Sequence, residues 1–457
     1  WKTTDAGRTW APIFDDGPPS IGALAVAPSD PKTIYVGTGQ VTSRYDGAAG
    51  EGAFKSKDAG ATWTPIGLEK TRHIGAILVD PRNADVVLVA AMGHAFGPNP
   101  ERGVYRSEDG GATWQRTLFV SENTGAVDLA SDPAVPDVVF ASVWQVRYKP
   151  WLNYFASTEG DESGLYRSTD GGRTFKRVVG SGWPQGNLGR IGLGAAHADD
   201  STRVYAAVPA GEASGLYRSD DTGATWKRVN DERGLGSDYF GHVTVVPGDP
   251  DTVFVMGRSI RRCTAGGSKC EIFKGAPGGD DYHHLSIDPA HPERMIVGSD
   301  QGTVVTVNGG TTWSSWYNQP TGQFYHLAAD NRFPYRIYSG QQDNGTVSIA
   351  SRSDYGSITF RDWHPVGADE RDYDIPDPQD PDIVYGSGLG GRLSRWNAKN
   401  GEVQNISPWP VSTYGARPTT VTYHYTWITP IAVSTLPPYP LYQGAQVLFR
   451  STDQGAH

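Results

Sequence analysis

Ser107-Glu-Asp-Gly-Gly-Ala-Thr-Trp114 decides the fold of this chain, because the pattern returns with its spacing intact along the sequence. Full copies stand at Ser56, Asp58, Gly60, Thr62 and Trp63, at Ser168, Asp170, Gly172, Thr174 and Phe175, and at Ser219, Asp221, Gly223, Thr225 and Trp226. A drifted copy uses Thr306, Asn308, Gly310, Thr312 and Trp313. The residue types explain the pattern. A short acidic side chain accepts backbone N–H bonds across a tight hairpin, glycine adopts positive φ, and the aromatic ring packs against the next unit. These Asp and Trp residues are therefore read as structural, holding outer hairpins together.

Between the copies runs a second unit, two alternating apolar segments joined by a turn, as in Ile21-Gly-Ala-Leu-Ala-Val-Ala-Pro-Ser-Asp-Pro-Lys-Thr-Ile-Tyr-Val-Gly-Thr-Gly-Gln40. Versions start near Ile74, Ala126, Arg190, His242, His284, Phe324, Tyr373 and Pro430, many with an Asp-Pro turn such as Asp80-Pro81, Asp249-Pro250 or Asp377-Pro378. Successive units lie roughly 40 to 60 residues apart, the length of one propeller blade. The chain is predicted to be all-β, a β-propeller of four-stranded blades. Its 57 Gly, 32 Pro, 14 Trp and 22 Tyr against 3 Met in 457 residues suit short strands and tight turns.

The sequence opens inside one turn copy, Trp1 to Trp10, and closes inside another, Ser451 to His457, so both ends read as lying within a blade. Counting blades gives a partial one ending near Pro19, six more to about Gly322, and three beyond, the last incomplete. The expected division is a first propeller over 1–322, its first blade incomplete, and the start of a second over 323–457. The alternative is a single ring of about ten blades.

A formal charge of −10 argues against nucleic acid and anionic membranes as partners. No stretch is apolar for the roughly 18 residues that a membrane span would need. The only cysteines, Cys263 and Cys270, sit where one turn copy has degraded to Cys-Thr-Ala-Gly-Gly-Ser-Lys-Cys. They are close enough to close a small loop, as expected in an oxidising compartment, and two reduced buried thiols are the other reading.

The turns and the blade period resemble the Asp-box (BNR-repeat) propellers, which include sialidases, xyloglucanases and the sortilin ligand-binding domain. Phrases such as Thr71-Arg-His-Ile-Gly75, Asn318-Gln-Pro-Thr321, Gln341-Gln-Asp-Asn-Gly345 and Asn405-Ile-Ser-Pro-Trp409 are similar to bacterial sortilin-like proteins often labelled glycosyl hydrolases. The resemblance implies a secreted, periplasmic or cell-surface protein that acts on or binds polysaccharide, without a cofactor or a metal. Its alternative is a non-catalytic sortilin-like propeller that captures a secreted or envelope protein or peptide. The sialidase Arg-Ile-Pro signature is missing, with Arg190-Ile-Gly192 the nearest approach. Xyloglucanases resemble this chain in placing a catalytic Asp early in each propeller, which would match Asp343 for the second and fall upstream of Trp1 for the first.

Function in a propeller concentrates where first strands begin and loops between second and third strands converge. Polar residues gather there at Asp280, Asp281, His283 and His284, at Asp300, at Tyr325 and His326, and at Gln341, Gln342, Asp343 and Glu370. Asp300 and Asp343 are each followed two residues later by Gly302 or Gly345, so they are read as one loop position in successive blades. A glycoside hydrolase needs two carboxyl groups, about 5 Å apart for retention or roughly 6.5 to 9.5 Å for inversion. Asp300, Asp343 and Glu370 are the candidate catalytic carboxylates. His283, His284, Tyr325, His326 and Gln342 are candidate ligand contacts. Loop aspartates also commonly cap turns, and that reading of Asp300 and Asp343 stands beside the catalytic one. A second group, Arg72, His73, His94, Trp144, Gln145, Arg147 and Trp151, offers rings and polar groups that suit sugars, although propeller cores use Trp freely.

Overall fold

A computed structural model describes residues 1–457 except 45–46, 149–158, 277–278, 320, 343, 368–372, 415, 417 and 457. Among the described residues the repeat resolves into nine antiparallel sheets, seven of four strands and two of three, each built from strands consecutive in sequence and paired in sequence order. The protein is an all-β propeller. The first sheet is typical, with strands Ile21–Val26, Ile34–Thr38, Ala53–Ser56 and Thr64–Pro65. Second strands read as unbroken apolar runs because both of their faces are covered, as in Val87-Leu-Val-Ala-Ala91. In the fourth sheet the register is unbroken, Gly192–Ala198 running against Ser201–Val208 from Gly192 opposite Ala207 to Ala198 opposite Ser201, while first strands such as Ile21–Val26, Ile74–Val79 and Tyr282–Ile287 carry a one-residue irregularity near their start.

The chain divides into two compact units, one holding the described residues of 1–149 and 154–319, the other those of 320–457. The first unit contains six sheets and a short N-terminal hairpin in which Lys2 pairs with Ala11. Its core lies between sheets. Phe140, Leu165, Leu193, Val204 and Tyr217 form one such cluster across the third and fourth sheets. The second unit holds three sheets and its own cluster around Ile383, Tyr385, Leu393, Ile431 and Leu441.

Four outer hairpins of the first unit are closed by the same bonds. Ser56 Oγ donates to Asp58 Oδ1 at 2.8 Å and accepts from Gly60 N at 2.8 Å, while Asp58 accepts from Thr62 N at 2.8 Å and from Thr62 Oγ1 at 2.6 Å. The pattern repeats at Ser107, Ser168 and Ser219, and the drifted Thr306-Val-Asn308 keeps it with an amide in place of the acid. The ring then ties one sheet to the one before, since Trp63 Nε1 donates to Ile13 O at 2.5 Å and Trp114 Nε1 to Ile66 O at 2.7 Å. In the fifth sheet Cys263 and Cys270 face each other across the hairpin as a disulfide. The covalent bond stands where four other hairpins of the first unit use serine and aspartate.

Bonds from the Thr62 and Thr113 hydroxyls and amides hold the Asp58 and Asp109 carboxyls down to about 2. A depressed folded-state pKa stabilises the fold fully above the ordinary 3.8, and that contribution is lost as pH falls toward about 2. The wild type is expected to lose stability between pH 4 and pH 2 more steeply than an Asp58→Asn/Asp109→Asn variant, as read by denaturant titration at stepped pH. Replacing Cys263 and Cys270 together with alanine is expected to cost about 2 kcal/mol, the chain entropy of so small a loop. Equilibrium unfolding of the first unit would show it.

Candidate functional site

The loops entering first strands and the loops leaving second strands meet at one end of the first unit. The segment before the strand Tyr282–Ile287 is pinned by its own sequence: Asp280 N donates to Gln301 Oε1 at 2.9 Å, and Asp280 Oδ1 accepts from Asp281 N at 3.0 Å. Asp281 sits at φ 50°, a left-handed conformation that favours glycine, and its carbonyl accepts from Asp300 N at 3.2 Å. Strain of this kind in a non-glycine residue persists only where the surroundings over-determine it. Two segments at the same end of the sixth sheet, Gly279-Asp-Asp-Tyr-His283 and Ser299-Asp-Gln-Gly302, are thereby locked together.

The lock brings His283 and Asp300 into contact, with Nε2 2.9 Å from Oδ1. The imidazole packs against both the Tyr239 and Phe240 rings, at centroid distances of 5.3 and 5.5 Å, and those two rings meet each other at 4.8 Å. Tyr239 is buried, and burial together with the Asp300 carboxylate pushes its phenol well up, against the pull of the Arg44 guanidinium. The loop that carries Tyr239 and Phe240 is held by Arg190. Its Nη1 donates to the carbonyls of Tyr239 at 3.0 Å and Phe240 at 3.3 Å, and its backbone N–H donates to Asp238 Oδ1 at 2.7 Å. Asp128, on the strand Thr124–Asp132, accepts from Leu193 N at 2.8 Å and is pushed up to about 7 by desolvation.

His284 stacks on His242 at 4.1 Å rather than joining Asp300. Surrounding protein desolvates both imidazoles and holds them below the usual histidine range, and His284 adds to the effect at His242. Among the described residues no group of three or more His, Cys, Asp or Glu side chains is arranged to hold a metal ion.

The remaining predicted residues fall in several places. His73 is buried, with Nδ1 2.8 Å from Gln40 O, and Trp144 is fully buried beside Val41, Met92 and Tyr148, so both serve packing where sequence offered them to a sugar. Arg72 adopts φ 59° and reaches Gly50 O, while the exposed Arg147 donates to Asn123 Oδ1 at 2.8 Å. In the second unit Tyr325 bonds Gln342 and accepts from Trp427 Nε1 at 2.9 Å, and His326 stacks on Tyr373 at 3.8 Å with planes 9° apart. Asp343, Glu370 and Trp151 lie outside the described residues. A cleft of about 740 Å³ between the first and second sheets, lined by Lys55, Thr64, Asp109 and Trp114, shares no residue with this end.

Sequence reasoning passed over Arg44, Tyr239 and Arg190 as site residues. Arg190 was legible in one respect, since it stands two residues before the first strand Gly192–Ala198, at the end where His283 lies in its own sheet. Tyr239 lies in a loop with no repeat signature, and only its spatial neighbours mark it.

No protein-family model matches the chain. Among curated proteins it is similar to a xyloglucanase of Hypocrea jecorina (strain QM6a), 24% identical over 425 residues, covering 85% of this chain and 43% of the relative. It is also similar to a xyloglucanase of a Paenibacillus species, 28% identical over 282 residues, covering 56% of this chain and 26% of the relative. The chain spans less than half the length of these relatives. Among solved structures it is similar to the GH74 enzyme of Niastella koreensis, with a TM-score of 0.47, 14% identity, and 96% of this chain and 78% of that chain covered. It is similar too to YCF48 from Cyanidioschyzon merolae, with a TM-score of 0.43, 12% identity, and 72% and 95% covered.

Arg190→Met removes the guanidinium that gathers the Asp238, Tyr239 and Phe240 carbonyls and leaves those acceptors unpaired. The expected cost is about 3 kcal/mol in unfolding free energy. Amide exchange at 237–241 is expected to accelerate by more than the global loss explains, and equal protection there in both proteins would remove Arg190 as the anchor.

Proposed function

We propose that this chain is a glycoside hydrolase-like propeller that acts on a neutral polysaccharide of the xyloglucan or β-glucan type. The observation that carries the proposal is the Asp300–His283 pair, a largely buried carboxylate held beside an imidazole and two aromatic rings at the loop end of the first unit. Rings stack on pyranose faces while the polar groups bond hydroxyls, and a carboxylate fixed in a restricted environment suits acid/base work on a glycosidic bond. The sequence similarity to xyloglucanases supports the same substrate class. Asp343 and Glu370 are proposed as further carboxylates of the reaction. The turn chemistry fits the Asp-box lineage, and the disulfide fits a secreted, periplasmic or cell-surface location. No helix among the described residues is long and apolar enough to cross a membrane.

The second reading, a sortilin-like propeller that binds a protein or peptide without turnover, is favoured by the completeness of the Asp300–His283 bond. A carboxylate already satisfied by a neighbour is what a purely structural loop would also show.

Reducing-end release from xyloglucan and mixed-linkage β-glucan separates the two. Asp300→Asn and Asp343→Asn are each expected to lower the rate by at least about 100-fold with the melting temperature unchanged, the usual weight of one acid/base group. Full turnover in both variants would remove the site. Retention on a polysaccharide column with no product at any pH would shift the assignment to binding, and absence of both would leave the protein-partner reading.

A further inference from the structure

The cleft between the first and second sheets lies away from the loop end and is formed by two complete four-stranded sheets. Its volume of about 740 Å³ falls within the range that takes a small ligand. One wall is the outer hairpin of the first sheet, from Lys55 and Lys57 through Thr62 to Gly67. The other is the turn of the second sheet, from Asp109 to Trp114.

One interface further on, the same place is closed by an ion pair. Glu108 of the second sheet accepts from Arg173 of the third at 2.7 Å and also from Arg106. In the repeat Lys57 holds the position of Glu108, one residue after the turn serine, and Ala112 holds that of Arg173, one residue before the turn threonine. Between the first and second sheets the bridging side chain is therefore cut back to a methyl group, and the charge it would meet is reversed. Asp220, at this position in the fourth sheet, is taken up by Arg203, Arg218 and Lys227, and Thr169 in the third is uncharged. Lys57 has no ion-pair partner among the described residues. The other charges of the cleft are engaged: Lys55 bonds Asp85 at 2.7 Å, and both oxygens of Asp109 are turned to Ser107 and Thr113. Beside them the half-buried Trp114 indole gives an apolar surface, its Nε1 already committed to Ile66 O.

We propose that this cleft binds a sugar residue carrying a carboxylate, such as a uronic acid branch of a polysaccharide, with the carboxylate on the Lys57 ammonium and the ring against Trp114. A charge-assisted bond to an ammonium selects the carboxylate, and the indole selects a pyranose ring over a bare anion. The room comes from Ala112, where the third sheet spends a guanidinium side chain on closing the interface. An extended peptide added to the sheet edge fits less well, because Pro65 in the fourth strand has no N–H to offer a new strand. The site shares with the proposed reaction only the class of ligand.

Calorimetric titration of the full chain at low salt tests this, using a xylo-oligosaccharide that bears one glucuronic acid and the unsubstituted oligosaccharide of the same length. The acidic sugar is expected to bind at least about 10-fold more tightly, the weight of one charge-assisted hydrogen bond, and the preference is expected to shrink as salt screens the pair. It is also expected to slow amide exchange over 62–67 and 109–114. Lys57→Met is expected to remove the preference. Lys57→Glu/Ala112→Arg, which installs the ion pair of the neighbouring interface, is expected to remove the protection as well, with the melting temperature within about 2 °C of the wild type. Asp300→Asn is expected to leave both readings unchanged, so failure of this site and failure of the proposed reaction are told apart. Equal affinity for the two sugars, a preference kept in Lys57→Met, or protection kept in the double variant would overturn the proposal. So would tighter, Lys57-dependent binding of a short acidic peptide, since the ligand would then not be a sugar.

Discussion

A four-stranded sheet of this repeat has apolar side chains on both faces, and no element within the repeat folds back to cover them. Each sheet is stable only when another lies on either side. Val87, Leu88 and Val89 on one strand are buried in turn by the sheet before and the sheet after. Everything else in the first unit follows from that requirement: the radial order of the sheets, the crowding of first strands, and the placement of loops at two ends free of packing. The hydroxyl–carboxylate turns act within this constraint. They fix the outer hairpins locally, and the Trp63 and Trp114 indoles convert that local order into contact between successive sheets.

The fold was legible because its determinants are local and repeated. A turn with Ser, Asp, Gly, Thr and Trp at fixed offsets declares itself in a single sequence, and so does an apolar alternation of period two followed by Asp-Pro. Even the exception was readable, since the copy that lost its acid gained Cys263 and Cys270 at opposed positions. What sequence could not supply is burial. Trp144 and His73 carry side chains that suit a sugar as well as a core, and only the packing of Val41, Met92 and Tyr148 around Trp144 decides between them.

The site was legible in half. The loops containing Asp281, His283 and Asp300 stand out because they interrupt the repeat with charge at its convergent end. Their partners do not, because Arg190, Tyr239 and Arg44 come from other sheets and meet them only through the radial geometry. His283 and His284, adjacent in sequence, separate at an irregularity of the strand. Pairing steps from Tyr282 opposite Ser299 to His284 opposite Gly298, which leaves His283 as the extra residue, and one ring meets Asp300 while the other meets His242.

That separation shows how the propeller keeps charge where it is wanted. His242 and His284 are held neutral by desolvation, and Asp128 is pushed toward neutrality by the same cause, so the crowded first strands carry little charge of their own. Arg190 is the cation beside them; its guanidinium donates to backbone carbonyls of 238–240, and the Asp128 and Asp238 carboxyls act on it electrostatically. A low-charge, crowded interior beneath Asp300 strengthens every electrostatic interaction the carboxylate makes, including its bond to His283 and its effect on Tyr239.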